Sequence, residues 1–131
     1  LKIFGNISIP GIDITSGSLG HCIGAGAGMA LHYKRSKIDK KVYVIISEGE
    51  LYEGSTWEAL LFASHYKLNN LIIIVDRNNQ IVMDKTEDCI KLNPLEKKFK
   101  SFGYKTFQIN GHSFKDLDRV FKKIHITSYR R

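Results

Sequence analysis

Two oxygen-bearing side chains, Glu48 and Asn78, stand thirty residues apart, each just after a run of strand-forming residues at 42–46 and 71–75. In a parallel sheet the tips of such strands lie side by side, and open α/β folds bind ligands outside that edge. A strand–helix–strand crossover needs about that separation, on the order of 30 residues. The chemistry such a pair can do is to hold a hard divalent cation. Mg2+ takes oxygen ligands at about 2.0 to 2.1 Å and shares them between few protein groups and substrate phosphates. The Glu48 carboxylate, the Asn78 side-chain carbonyl and one backbone carbonyl would supply three, leaving the rest to a diphosphate and water. Gly49, lacking a Cβ, lets its backbone come close to a phosphate. Taken alone, the pair also reads as an acidic residue after a strand and a turn at Asn78-Asn79, which both residue types favour.

The elements that must position these residues are legible around them. Residues 42–47 form a near-continuous apolar run, as expected of a strand covered on both faces, and 71–75 form a second. Between them, Ser55 with Glu58 three positions on predicts a capping box. The helix it opens carries an apolar stripe of Trp57, Leu60, Leu61, Ser64 and Leu68. Upstream, residues 2–14 read as an extended lead-in with turns at Gly5-Asn6 and Pro10-Gly11, followed by a helix over 19–33. Gly24, Gly28, Ala25 and Ala27 leave one face of that helix slim enough for another backbone to approach, since each glycine there costs about 1 kcal/mol and needs a packing reason. Downstream, 87–93 reads as loop, 94–101 as a short helix with Pro94 in its first turn, 105–109 as a third strand and 113–123 as a last helix with Asp116 near its start. The expected fold class is α/β: a three-layer parallel sheet with helices on both faces and right-handed crossovers.

As a set, several motifs resemble the thiamine-diphosphate signature of the transketolase family. They are Pro10-Gly11-Ile12-Asp13-Ile14-Thr15-Ser16-Gly17-Ser18-Leu19-Gly20, Ser47-Glu48-Gly49-Glu50-Leu51-Tyr52-Glu53-Gly54 with Trp57-Glu58-Ala59, Lys67-Leu68-Asn69-Asn70-Leu71, and Asp76-Arg77-Asn78-Asn79-Gln80. Within that family the likeness is to the N-terminal, diphosphate-binding subunit of split transketolases, and it runs over residues 10–121. The resemblance implies thiamine diphosphate with Mg2+ (or Ca2+) as cofactors and transfer of a two-carbon ketol unit between sugar phosphates, the chemistry being the cofactor's own. It implies Glu48, Asn78 and the backbone carbonyl of Gln80 as metal ligands. Gly17, Ser18, Leu19, Glu48, Gly49, Glu50, Asn78 and Gln80 become cofactor-binding residues. Glu53 becomes the catalytic acidic residue of a subunit-interface carboxylate network. One departure is plain: the family's usual Gly-Asp-Gly is here Ser47-Glu48-Gly49. Glu is one methylene longer than Asp, and Ser47 lacks glycine's access to positive φ. The family also commonly has Gln where this chain has His21.

At 131 residues the chain reads as a single diphosphate-binding domain, 1–131, and as a fragment lacking N- and C-terminal parts. The resemblance implies that the missing pyrimidine-binding domain is a separate C-terminal subunit, that the assembly is a homo- or hetero-oligomer, and that this chain alone is inactive. Other thiamine-diphosphate enzymes, of the 2-oxo-acid dehydrogenase or deoxyxylulose-phosphate synthase type, remain alternatives, as does a catalytically silent homologue with an interaction role. Composition excludes other classes. No window approaches the ~18 to 20 apolar residues of a membrane span. Cys22 and Cys89, far apart and without zinc spacing, suit a reduced, cytoplasmic chain. The net charge of +7 comes mainly from lysines at 34–41 and 97–100 and a basic tail, with no interleaved aromatics of the kind that stack on nucleic acid. These clusters read as solvated helix ends that also attract anionic sugar phosphates. Gly24-Ala25-Gly26-Ala27-Gly28 fails the dinucleotide fingerprint, because Met29 falls at the third glycine and no apolar strand leads into Gly24. His32, His65, His112 and His125 have no triad or metal spacing and read as structural or solvated.

Overall fold

The computed structural model describes residues 5–127. The start of the lead-in, residues 2–4, and the basic tail Tyr129-Arg130-Arg131 lie outside the described residues, as does the side chain of His125. The elements are α1 (Cys22–Arg35), β1 (Val42–Ser47), a 3-10 turn (Glu48–Tyr52), α2 (Gly54–His65), β2 (Leu71–Asp76), the single turn α3 (Thr86–Cys89), α4 (Leu95–Ser101) and α5 (Phe114–Thr127). The two strands pair in parallel, from Val42 opposite Leu71 to Ser47 opposite Asp76. The α/β class with a parallel sheet is therefore as expected from the two apolar runs. Their tips end level, so Glu48 and Arg77 leave the sheet as neighbours.

One face of β1 carries the core. Val42, Val44 and Ile46 are buried with Ile23, Ala27 and Ala30 of α1, Leu60 and Ala63 of α2, and Leu51. Each large side chain among them stabilises the fold by roughly 1.5 to 3 kcal/mol through removal from water. Gly26 is the point of closest approach between α1 and β1: an added Cβ would lie 2.4 Å from Val44 Cγ2. Gly24 and Gly28 face open space instead, so the slim face of the helix is at Gly26 and not at the paired glycines. The same core extends to where Trp57 meets Phe99 and Phe102, with ring centroids 5.9 and 5.7 Å apart.

Five further expectations fail. The strand 42–47 is not covered on both faces: Tyr43 and Ile45 are 42% and 69% exposed, and across the sheet from α1 only Phe121 of α5 meets Tyr43 in a described ring contact. The predicted strand at 105–109 joins no sheet: among the described residues the sheet has two strands, β1 and β2. Ser55 does not cap α2. Its hydroxyl donates to the Gly20 carbonyl at 2.9 Å, and the cap position is Glu53 with no side-chain bond. The buried stripe of α2 is Thr56, Leu60 and Ala63, while Leu61 is 57% exposed. The first helix begins at Cys22, three residues later than expected, because Leu19 and Gly20 (φ +84°) are held in a turn. Other boundaries shift by a residue or two, except that α5 runs four residues past its expected end at 123, and 86–89 within the expected loop closes one helical turn. The Pro10-Gly11 turn is present, with Ile12 N–H donating to Ile9 O at 3.1 Å and Gly11 at φ +89°.

Candidate functional site

Past the level strand tips, the chain turns three segments onto one edge. The first is 17–20. Gly20 N–H donates to the buried Glu50 carboxylate, and its Cα is so close to α2 that a Cβ would meet Ser55 Oγ at 2.4 Å and Glu53 Cβ at 2.9 Å. Glycine is required there twice over, by this approach and by its positive φ. The second segment is the 3-10 turn, which places Gly49 beside Leu19: a Cβ on Gly49 would lie 3.6 Å from Leu19 Cδ1 and 3.9 Å from Ile81 Cγ2. The third is the turn 77–80. Asn79 sits at φ +60°, and Asn78 Oδ1 accepts from Gln80 N–H at 2.9 Å.

Gln80 forms an antiparallel bridge with Lys85, flanked by Thr86 N–H to Asn79 O at 3.2 Å and Ile81 N–H to Asp84 O at 2.9 Å. In such a pair the hydrogen bonds bracket the residue, so Gln80's own peptide groups point away from the hairpin. A pocket of about 330 Å3 opens beside the first segment, lined by Thr15, Ser16, Gly17, Ser18, His21 and Cys22 among others. Cys22 is held above its ordinary thiol pKa, first by burial and second by the Glu50 carboxylate.

Glu48 and Asn78 lie in unlike surroundings. Asn78 is exposed, whereas Glu48 is fully buried. One Glu48 oxygen accepts from Arg77 Nη1 at 2.8 Å and the other from the Thr86 hydroxyl, itself fully buried. Arg77 extends the network through Nη2, to Glu87 at 3.0 Å and to the Asn93 side chain at 3.1 Å. Glu87 is pulled below its ordinary value of 4.5, mainly by the Arg77 hydrogen bond. Ser47 has φ −85° and ψ 171°, extended backbone that needs no glycine. Glu53 is half-buried at the start of α2. Among the described residues no three His, Cys, Asp or Glu side chains converge as a metal site, and no helix is long and apolar enough to cross a membrane. Arg77, Thr86, Glu87 and Asn93 have no role in the reading from sequence. The available signal is Glu48 itself, since an acid at the end of a buried strand needs partners.

Comparison with known proteins bears on this edge. An apulose-4-phosphate transketolase subunit of Phocaeicola vulgatus is 38% identical over 122 residues, 93% of this chain and 43% of that protein. The 6-deoxy-6-sulfo-D-fructose transketolase subunit SqwG of a Clostridium species is 38% identical over 107 residues, 82% of this chain and 39% of that protein. The chain thus spans less than half the length of these curated relatives. The crystal structure of transketolase from Campylobacter jejuni superposes with a TM-score of 0.83 at 28% identity, over 90% of this chain and 20% of that one. The family model described as transketolase, thiamine diphosphate binding domain, matches residues 5–130. With nearly its whole length inside that match, and its strand tips and turns arranged as described, the chain belongs to the thiamine-diphosphate-binding domain family of transketolases.

Proposed function

We propose that this chain is the diphosphate-binding subunit of a transketolase-type transferase that moves a two-carbon ketol unit between sugar phosphates. One observation carries the reading: the level ends of β1 and β2 bring Leu19, Gly49 and the 77–81 turn to one edge. Relatives named as transketolase subunits support it. Thiamine diphosphate, when bound, supplies the carbon that takes up and hands on the ketol unit.

The chain's own residues bind and orient that cofactor. Gly17, Ser18 and Leu19 border its rings, next to a pocket whose size and hydroxyl-bearing walls suit a small ligand. Gly49 turns its N–H to the diphosphate, Glu50 fixes the ring-bordering segment through Gly20, and Glu53 faces the partner's carboxylate network. For a divalent metal, Mg2+ or Ca2+, the Asn78 side-chain oxygen and the outward carbonyl of Gln80 are suitable donors. The Glu48 carboxylate is not: it is fully buried, each oxygen turned to a partner inside the fold, whereas Asn78 is exposed.

The partner on this reading is a separate pyrimidine-domain subunit, which joins this chain in an oligomer in the cytoplasm. Calorimetric titration with thiamine diphosphate and Mg2+, with and without that subunit, tests it: saturable binding in the complex is expected. No binding in either case would favour the second reading, a catalytically silent homologue with an interaction role. The internal engagement of Glu48 is the observation on that reading's side.

A further inference from the structure

The carboxylate of Glu48 is occupied by a cation that belongs to the protein. Arg77 Nη1 lies 2.8 Å from one oxygen, the Thr86 hydroxyl holds the other, and neither Glu48 nor Thr86 is exposed at all. The rest of the network explains what this arrangement secures. Through Nη2, Arg77 reaches Glu87 and Asn93, and Glu87 also accepts the backbone N–H groups of Leu92 and Asn93, both at 3.2 Å. Tyr52, at the end of the 3-10 turn that Glu48 begins, donates to the Thr86 carbonyl at 2.6 Å and is placed 3.0 Å from that of Ile90. Segment 77–93 is therefore clasped to the tip of β1 from both ends of one turn.

Side-chain length decides whether the clasp can form. An aspartate at 48 would end one carbon–carbon bond, about 1.5 Å, short, and could not span both Arg77 and Thr86. A buried carboxylate that has found a guanidinium and a hydroxyl loses both if it swings to a metal, leaving Arg77 to its Glu87 pair and the buried Thr86 hydroxyl without its acceptor.

We propose that Glu48 is a positioning residue and not a metal donor, its carboxylate being neutralised by Arg77 so that the turn carrying Asn78 and Gln80 is held in place. This deepens the functional reading above and rests on it: a divalent ion at this edge would be held by Asn78, Gln80 and the diphosphate alone.

The test uses the protein in complex with its partner, with Mn2+ as the probe, titrated by electron paramagnetic resonance in the presence of thiamine diphosphate. Glu48→Gln and Arg77→Gln should each weaken Mn2+ binding, with dissociation constants within about threefold of one another, because each opens the clasp and neither removes a metal ligand. Weakening of tenfold or more in Glu48→Gln with unchanged or tighter binding in Arg77→Gln, the pattern of a lost donor, overturns the inference. Failure of wild type to bind thiamine diphosphate at all would overturn the functional reading instead. A double-mutant cycle of Glu48→Gln and Arg77→Gln, followed by urea unfolding without cofactor, then judges the clasp by itself: non-additive losses uphold it and additive losses overturn it.

Discussion

Replacing Gly26 by alanine tests the packing that sets the height of β1, and hence of Glu48 and Gly49 beyond it. The new Cβ would lie 2.4 Å from Val44 Cγ2, 3.4 Å from Leu71 Cδ1 and 3.6 Å from Val42 Cγ1. Carbon pairs prefer about 3.5 to 4.0 Å, so the Val44 contact overlaps by more than 1 Å. Val44 is buried and β-branched, with little rotamer freedom to escape. Overpacking of this kind costs about 1 to 3 kcal/mol, and the severity of the overlap places it in the upper half. Against it stands a gain of about 1 kcal/mol in helix propensity. That gain is shared by Gly24→Ala and Gly28→Ala in the same helix, where an added Cβ meets nothing within 4 Å.

The informative quantity is therefore the difference among the three variants, in which propensity cancels. Gly26→Ala should be less stable than either companion by about 2 to 3 kcal/mol. At roughly 4 °C per kcal/mol for a domain of this size, the melting temperatures should differ by about 10 °C. Urea unfolding followed by Trp57 fluorescence measures all three. Equal stability of the three variants would mean that α1 does not rest on β1 through Gly26, and the account of the strand tips would fall with it.

Two further outcomes follow from single side chains. Tyr104 donates its hydroxyl to the Leu60 carbonyl at 2.9 Å, and burial pushes its pKa up to about 12. Because the folded value exceeds the unfolded value of 10, its contribution is complete below pH 10 and is lost between 10 and about 12. Tyr104→Phe should therefore shallow the loss of stability over that window in alkaline melts, and an unchanged slope would refute the assignment. Cys89 is exposed, whereas Cys22 is partly buried and its thiol is held protonated by burial and by Glu50. Iodoacetamide at about pH 8 followed by peptide mass spectrometry should find Cys89 modified first, and faster labelling of Cys22 would contradict the packing of α1 beside Glu50.

How much is legible in the sequence depends on whether a residue's partners are near in the chain. Strands at 42–47 and 71–76 announce themselves because each is a nearly unbroken run of β-branched and other apolar residues, and their spacing fixes where Glu48 and Asn78 emerge. The motif set identifies the family, and Leu19, Gly49 and the 77–81 turn do come together. What fails are inferences that need a distant neighbour. Ser55 has a plausible local partner in Glu58, but the Gly20 carbonyl, 35 residues upstream, takes its hydroxyl. Residues 105–109 have the alternation of a strand, but a strand exists only where another can pair with it. Arg77 stands in the motif without an evident role, because its Glu48, Glu87 and Asn93 contacts are 29, 10 and 16 residues away. From sequence, the added methylene of Glu48 is a difficulty in reaching outward, whereas in the fold its length serves to reach inward.

The anchoring of Gly20 carries a consequence for how this domain assembles. Its two bonds run to Glu50 and Ser55, 30 and 35 residues later in the chain. A growing or refolding polypeptide cannot fasten residues 17–20 until the 3-10 turn and α2 exist to receive them, and such a non-local contact carries a loop-closure entropy cost that helix-local contacts do not. The segment is thus a late arrival in folding and, with few buried side chains of its own, an early departure on warming. Loss of ligand recognition would then precede global melting, with the hydrogen-exchange protection of Gly20 as its earliest sign.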